Sequence, residues 1–314
     1  MSSEDEVTLQ DLADLATMRG KVYAFLSGIY TQLPGQDFVQ RLQDSGMVTL
    51  LDALTEGEAS GEMGEGLALV RSYLVANQAT PSETVLTELA VDRTRLVRGL
   101  KPGYGPPPPY ESVYAGSENA PLVEASASVV QAYAEAGVAL GEGIHDQPDF
   151  IGFELDFMRH LAMKENAAWT HGDRDQALKL LEKEVGFLNE HITAWVPRYC
   201  NLMAKEARTD FYRGIARLTK GFVMDDAQRA AEYLETVIAL VWTDSDLDKL
   251  VEGFSNDKIT PTIPGFEFSR ENVDRLLASS QCRQCGWCCQ SHSFIMVGTD
   301  DDLKRIAKHS KYSL

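Results

Sequence analysis

Positive charge is scarce in this chain of 314 residues: 29 lysines and arginines stand against 47 aspartates and glutamates, a net charge of -18. So acidic a surface repels nucleic-acid phosphates and anionic lipid headgroups, which excludes both as expected partners. It suits a basic peptide, and it also serves plain solubility. Long apolar runs are missing too. The longest, around Val237 to Trp242, falls far short of the roughly 20 residues that span a bilayer. Met1 to Val7 carry Glu4, Asp5 and Glu6 in place of the basic and then apolar residues of a secretory signal, so the expected location is the cytoplasm. There is no Gly-rich phosphate loop, no Gly-x-Ser-x-Gly elbow and no pair of metal-binding histidines at helical spacing, which points to a binding protein and not an enzyme. Cysteine is sparse as well. Of five, four (Cys282, Cys285, Cys288 and Cys289) fall within eight residues near the carboxy terminus, which excludes a disulfide framework for a large fold.

What the sequence does have is helical periodicity on a 44% hydrophobic background. Leu9, Leu12, Leu15, Ala16, Val22, Tyr23, Leu26 and Ile29 trace one wide stripe, and strand-like alternation is rare. The same spacing predicts helices near 36–55, 62–78, 82–100, 121–139, 149–171, 174–189, 189–206, 209–222 and 225–243. Ser82 after Pro81 reads as an N-cap, Asp173 with Gln176 as a capping box, and Gly172 as the stop of the preceding helix. Short links between amphipathic helices predict an all-α, compact multi-helix bundle over residues 1–254, followed by a linker and cysteine-containing tail over 255–314.

Two segments interrupt the periodicity. From Gly99 to Tyr114 the chain carries Pro102, Gly103, Gly105 and four consecutive prolines, Pro106 to Pro109. Proline lacks an amide hydrogen and fixes its own backbone angle, so this stretch is expected to be an extended, stiff loop. It ends in Tyr110-Glu111-Ser112-Val113-Tyr114, which sets aromatic rings and a carboxylate on a preformed surface suited to a peptide. The alternative is a rigid crossover whose tyrosines only pack on the bundle. The second interruption begins near Ser255, with Pro261, Pro264 and Gly265 ahead of the cysteines.

The run Arg95-Leu96-Val97-Arg98-Gly99, the Pro-rich stretch and Pro109-Tyr110-Glu111-Ser112-Val113-Tyr114 together resemble the loop motif of the TorD/DmsD/NarJ redox-enzyme maturation chaperones. Pro148-Asp149-Phe150-Ile151 with Glu154-Leu155-Asp156-Phe157-Met158 is similar to that family's second motif, though Phe150 stands where the family usually has histidine. Further matches follow in order at Glu190-His191-Ile192, at Trp195-Val196-Pro197 and from Phe211-Tyr212 to Leu218-Thr219. The resemblance implies an all-α chaperone. Its partner would be a molybdenum or tungsten oxidoreductase subunit and that subunit's twin-arginine leader, held until the cofactor is inserted, by a monomer or a helix-swapped dimer that itself requires no cofactor.

By the same resemblance Tyr110, Glu111, Ser112, Tyr114, Pro148, Asp149 and Phe150 would line or support a peptide groove, with the acids pairing to the two arginines. Asp149 also reads as a helix N-cap. Phe150, Phe153, Phe157 and Leu161 form a stripe suited to the core, and Glu154 one turn from Phe150 and Met158 faces either the groove or solvent. His145, His160, His171 and His191 are too scattered for a metal site and read as ordinary packing or surface residues.

In the tail, Cys282-x-x-Cys285-x-x-Cys288 has the tight spacing with which ferredoxin-type loops wrap three thiolates around an iron–sulfur cluster. Cys289, His292, Cys200 or a partner's residue are candidates for a fourth ligand, and zinc is the other metal to consider. The run Cys282 to Cys289, followed by Asp300 to Ala307, also resembles the opening of the YkgJ-like cysteine-cluster family. A thiol redox role, or no role at all, are the alternatives. The competing function is therefore a redox or metal-handling protein acting through these cysteines, with the helices as a docking platform. A metal-dependent enzyme using Asp149, Glu154 and histidines is a third reading.

Overall fold

A computed structural model describes residues 8–56, 61–99, 103–114, 122–141, 144 and 146–241, and the packing below belongs to the unit Met1–Val237. The tail expected over 255–314, with Cys282, Cys285, Cys288 and Cys289, lies outside the described residues, as does His145.

The fold is an all-α multi-helix bundle. Helix α1 (Leu9–Thr31) starts at a reciprocal cap in which the Asp11 amide donates to Thr8 Oγ1 at 3.2 Å and the Thr8 amide donates to Asp11 Oδ2 at 2.9 Å. The helix expected over 36–55 is two, α2 (Gln36–Gln43) and α3 (Ser45–Glu56), because Asp44 takes an extended conformation between them. Helices α4 (Gly61–Asn77) and α5 (Ser82–Val97) follow. Ser82 does not cap α5. Pro81 holds the cap position, and the Ser82 hydroxyl donates to Gln43 Oε1 at 2.6 Å.

The Pro-rich stretch is non-helical from 103 to 109, but its end is not extended. Glu111–Tyr114 closes into a single helical turn, α6. After α7 (Leu122–Glu135), helix α8 (Ile151–Thr170) ends where expected: Gly172 takes φ +72°, its amide donates to Trp169 O at 3.0 Å and that of Asp173 to Ala168 O at 2.9 Å. A left-handed glycine is what this double return bond requires. Asp173 then caps α9 (Arg174–Phe187) by accepting from the Gln176 amide at 3.1 Å.

No loop separates α9 from α10 (Thr193–Glu206). A π-helical turn, Leu188–Ile192, joins them, one turn ahead of Pro197, which cannot donate to Thr193. The helices expected over 209–222 and 225–243 are one, α11 (Asp210–Val241), since no residue between 222 and 225 breaks the ladder. Among the described residues there is no strand, only an isolated antiparallel bridge between Tyr110 and Phe150.

Helix α1 lies along α8, and α8 packs on α9. At their heart is a buried ionic cluster that periodicity does not announce. Arg19 donates from Nε to Asp226 Oδ1 (2.6 Å), from Nη1 to Glu165 Oε2 (3.0 Å) and from Nη2 to Glu184 Oε2 (2.6 Å), so one guanidinium ties α1 to α8, α9 and α11. Tyr23 donates to Asp226 Oδ2 at 2.5 Å, and Trp169 Nε1 to Glu165 Oε1 at 2.9 Å. Three carboxylates outnumber the one cation. Burial, only partly opposed by Arg19, pushes the Glu184 and Glu165 carboxyls above their ordinary range.

Removing the guanidinium would strand three buried acids. Arg19→Leu is expected to lose about 3–5 kcal/mol of unfolding free energy, read by urea denaturation, and a change near zero would show that the cluster is not a structural clamp.

Candidate functional site

The two segments singled out by the sequence are bonded to each other. The Glu111 amide donates to Asp149 O at 2.9 Å and the Ile151 amide to Pro109 O at 3.0 Å, which is the bridge that lays Tyr110 beside Phe150. The Asp149 carboxylate is fully buried and accepts from the Ser112 amide at 2.9 Å. It therefore caps α6, across a gap of 37 residues, and not α8, whose cap position is held by Phe150 without a side-chain bond. An exposed amide at a helix start needs an acceptor, and the acid preceding one helix supplies it to another.

The eight expected site residues thus converge, but most face inward. Glu111, Tyr114 and Phe150 are 4%, 5% and 4% exposed, and Asp149 and Glu154 are completely buried. Glu111 meets His191 of the π turn, with Nδ1 and Oε2 2.8 Å apart, while the His191 ring lies 4.6 Å from that of Phe187. Glu154 faces neither groove nor solvent. Its Oε2 accepts from Trp195 Nε1 at 3.0 Å in the core. Tyr114 packs on Trp195 at 5.7 Å and on Tyr199 at 5.6 Å, and its hydroxyl donates to Pro107 O at 2.6 Å, which closes the proline loop on itself.

Among the described residues no lysine or arginine is bonded to any of the three acids. Burial, followed by the charge of Glu111, raises the Glu154 carboxyl well above its ordinary value and favours its protonated form. Asp149 Oδ1 and Glu154 Oε1 are buried without a hydrogen-bond partner. These carboxylates are not the arginine-facing acids that the sequence suggested. The partly exposed members of the set are Tyr110, Ser112 and Pro148, beside exposed Val113. Tyr110 donates to Asp146 Oδ1 at 3.2 Å, and Asp146 also pairs with Arg98 at 3.3 Å.

The open surface lies one aromatic step away. Tyr110 contacts Phe150 at 5.6 Å and Phe150 contacts Phe153 at 5.3 Å, and Phe153 lines a cleft of about 390 Å³. One wall is α1, at Ala24, Gly28 and Gln32; another is Val138 to Gly141 with Ile144; the floor is Phe153, Phe157 and Tyr133. Tyr133 also donates to Pro148 O at 3.1 Å, so the cleft wall is tied to the second motif. Asp156, Arg159 and His160 form the polar edge, with Arg159 Nε 2.5 Å from Asp156 Oδ1. Sequence reasoning placed Phe153 and Phe157 in the core and gave α1 only a packing role. The overlooked signal is Gly28 near the end of α1: a Cβ built there meets nothing within 4 Å, because the residue borders the cleft.

Among the described residues no group of three His, Cys, Asp or Glu side chains is arranged to hold a metal, and no helix is long and apolar enough to cross a membrane. The family model described as nitrate reductase delta subunit matches residues 56–201, which spans α4 to α10 and therefore the whole joint. Curated relatives carry the name chaperone protein TorD. The one from Vibrio cholerae serotype O1 (strain M66-2) is 24% identical over 230 residues, covering 72% of this chain and 98% of its own. The chain is thus similar to the TorD/NarJ proteins over this region. A second TorD, from Photobacterium profundum, is 22% identical and covers 70% of this chain and 97% of its own; a third, from Aliivibrio salmonicida, is 20% identical with 70% and 98% covered. These TorD/NarJ relatives are named as chaperones, which accords with a binding protein.

Glu154→Gln tests the buried joint through its pH dependence. Above the ordinary carboxyl value of 4.5 the unfolded chain releases the Glu154 proton while the raised value holds it in the folded protein, so stability falls as pH rises. Glutamine removes that loss and keeps an acceptor for Trp195. The variant is expected to gain on the wild type as pH rises above about 5 in urea titrations, and a constant difference would place an ionised Glu154 in the core.

Proposed function

We propose that this protein is a molybdoenzyme maturation chaperone that binds the catalytic subunit through its twin-arginine leader and assists cofactor insertion before export. Similarity to the nitrate reductase delta subunit model and to proteins named chaperone protein TorD supports the coarse reading. The observation that carries the finer one is the continuous aromatic path from Tyr110 through Phe150 to Phe153 and into the cleft between α1, residues 138–141 and α8. A leader has an apolar stretch beside its arginines. The aromatic floor suits the apolar part, and the overall charge of -18 favours a basic partner, with Asp146 and Asp156 the partly exposed carboxylates nearest the path. The buried acids Glu111, Asp149 and Glu154 support this surface from beneath and do not themselves pair with arginine.

Gly28→Leu separates binding from folding. The added side chain meets no atom where its Cβ begins, and replacing a helical glycine adds about 0.5–1 kcal/mol of helix preference, so the fold is kept while the cleft is filled. Calorimetry with a synthetic twin-arginine leader is expected to show affinity reduced about tenfold or more, as also for Tyr110→Ala. Unchanged affinity in a folded Gly28→Leu protein removes the cleft as the site.

For the cysteine tail we propose a thiolate site for an iron–sulfur cluster or zinc, supported by four cysteines within eight residues. Metal analysis of the purified full chain is expected to find iron with sulfide, or zinc, and to lose it in Cys285→Ser; metal-free wild type excludes the site. Deleting 266–314 is expected to leave leader affinity unchanged, since the cleft is built from other residues.

A further inference from the structure

A second cavity, of about 270 Å³, shares no lining residue with the aromatic cleft. It lies among α4, α10 and α11 and is edged by Glu62, Asn201, Lys205, Arg213, Arg217 and Lys220. In a chain of net charge -18, four cations around one small space is an inversion of the general surface. Their arrangement is helical in origin: Arg213 and Arg217 stand four apart on α11, and Asn201 and Lys205 four apart on α10, so each pair shares a face.

Carboxylates answer part of this charge. Glu62 accepts from Lys220 Nζ at 2.7 Å and from Arg217 Nη1 at 3.1 Å, Glu65 accepts from Arg217 Nη1 at 2.5 Å, and Asp210 pairs with Arg213. Three acids face four cations, and Lys205 has no carboxylate partner among the described residues. Among the described residues Arg217 Nε is buried and finds no acceptor, where buried N–H groups are nearly always paired. Lys220 also donates to Asn201 Oδ1 at 3.0 Å, which leaves the amide nitrogen of Asn201 as a donor. The floor is small, formed by Ala204, Ala216 and Cys200, and burial pushes the Cys200 thiol up to about 12, so it adds no negative charge.

We propose that this cavity binds a small phosphate-bearing dianion, held by Arg217, Arg213, Lys205 and Asn201, with Glu62 as the resident competitor. Donors from two helices outnumber what the two oxygens of one carboxylate can engage, whereas a phosphoryl group presents three. Displacing Glu62 and Glu65 is easy, because their side chains are 35% and 62% exposed and exposed ion pairs contribute little.

The test is calorimetry and phosphorus NMR on the full chain with inorganic phosphate and pyrophosphate, and with succinate as a carboxylate dianion. Phosphate and pyrophosphate are expected to bind, with succinate weaker by about tenfold. Arg217→Gln is expected to weaken phosphate about tenfold, and Glu62→Gln to tighten it by freeing Arg217 and Lys220. Exposed Lys205→Gln, which breaks no ion pair, is the second variant should Arg217→Gln lower the unfolding midpoint, and it too is expected to weaken binding. Absence of any phosphate signal, equal binding of succinate, weaker phosphate binding in Glu62→Gln, or affinity unmoved in both Arg217→Gln and Lys205→Gln overturns the assignment.

Discussion

The site depends on one interlock, in which the chain at Pro109–Ser112 and the chain at Asp149–Ile151 exchange backbone and carboxylate hydrogen bonds in the interior. Four consecutive prolines provide no amide donors of their own, so the loop cannot be held by a ladder of its own making. It is held from outside by the residues that open α8, and in return it receives a helical turn whose free amide Asp149 satisfies. In the interior such bonds are electrostatically stronger than in water, and an unmade one is correspondingly expensive.

From that interlock follows the placement of charge. Drawing Asp149 and Glu111 inward brings them toward Glu154, and the π turn contributes His191 and, one helical turn on, Trp195. Helix α9 runs into α10 without a loop because the extra residue of the wider turn accommodates the run toward Pro197. The motif at Glu190-His191-Ile192 is therefore a structural partner of the loop motif, although 80 residues separate Glu111 and His191. The Arg19 cluster holds the other end of α8 in the same manner, with the difference that a cation is present there.

Helix α8 connects these features to the surface. Its inward positions Glu154 and Leu155 belong to the joint and the core, and Phe153, Asp156, Phe157 and His160 on adjoining positions line the cleft. One helix thus transmits the geometry of the buried joint to the open wall, and the Tyr110–Phe150–Phe153 contacts carry the loop to the same place.

Helix content, the stops at Gly172 and Asp173, and the special character of residues 99–114 and 148–154 were legible in the sequence, because periodicity, left-handed glycine and missing proline amides act within a few residues. So was the resemblance to the TorD/DmsD/NarJ chaperones, because the matching motifs occur in order along the chain. Which way a carboxylate faces was not legible. Asp149, Glu111 and Glu154 look like surface acids until a bare amide, an imidazole and an indole N–H from distant segments are brought to them, and only tertiary packing does that. The buried guanidinium of Arg19 and the open space over Gly28 were decided in the same way. Each depends on a neighbour remote in sequence, and local preference carries no information about remote neighbours.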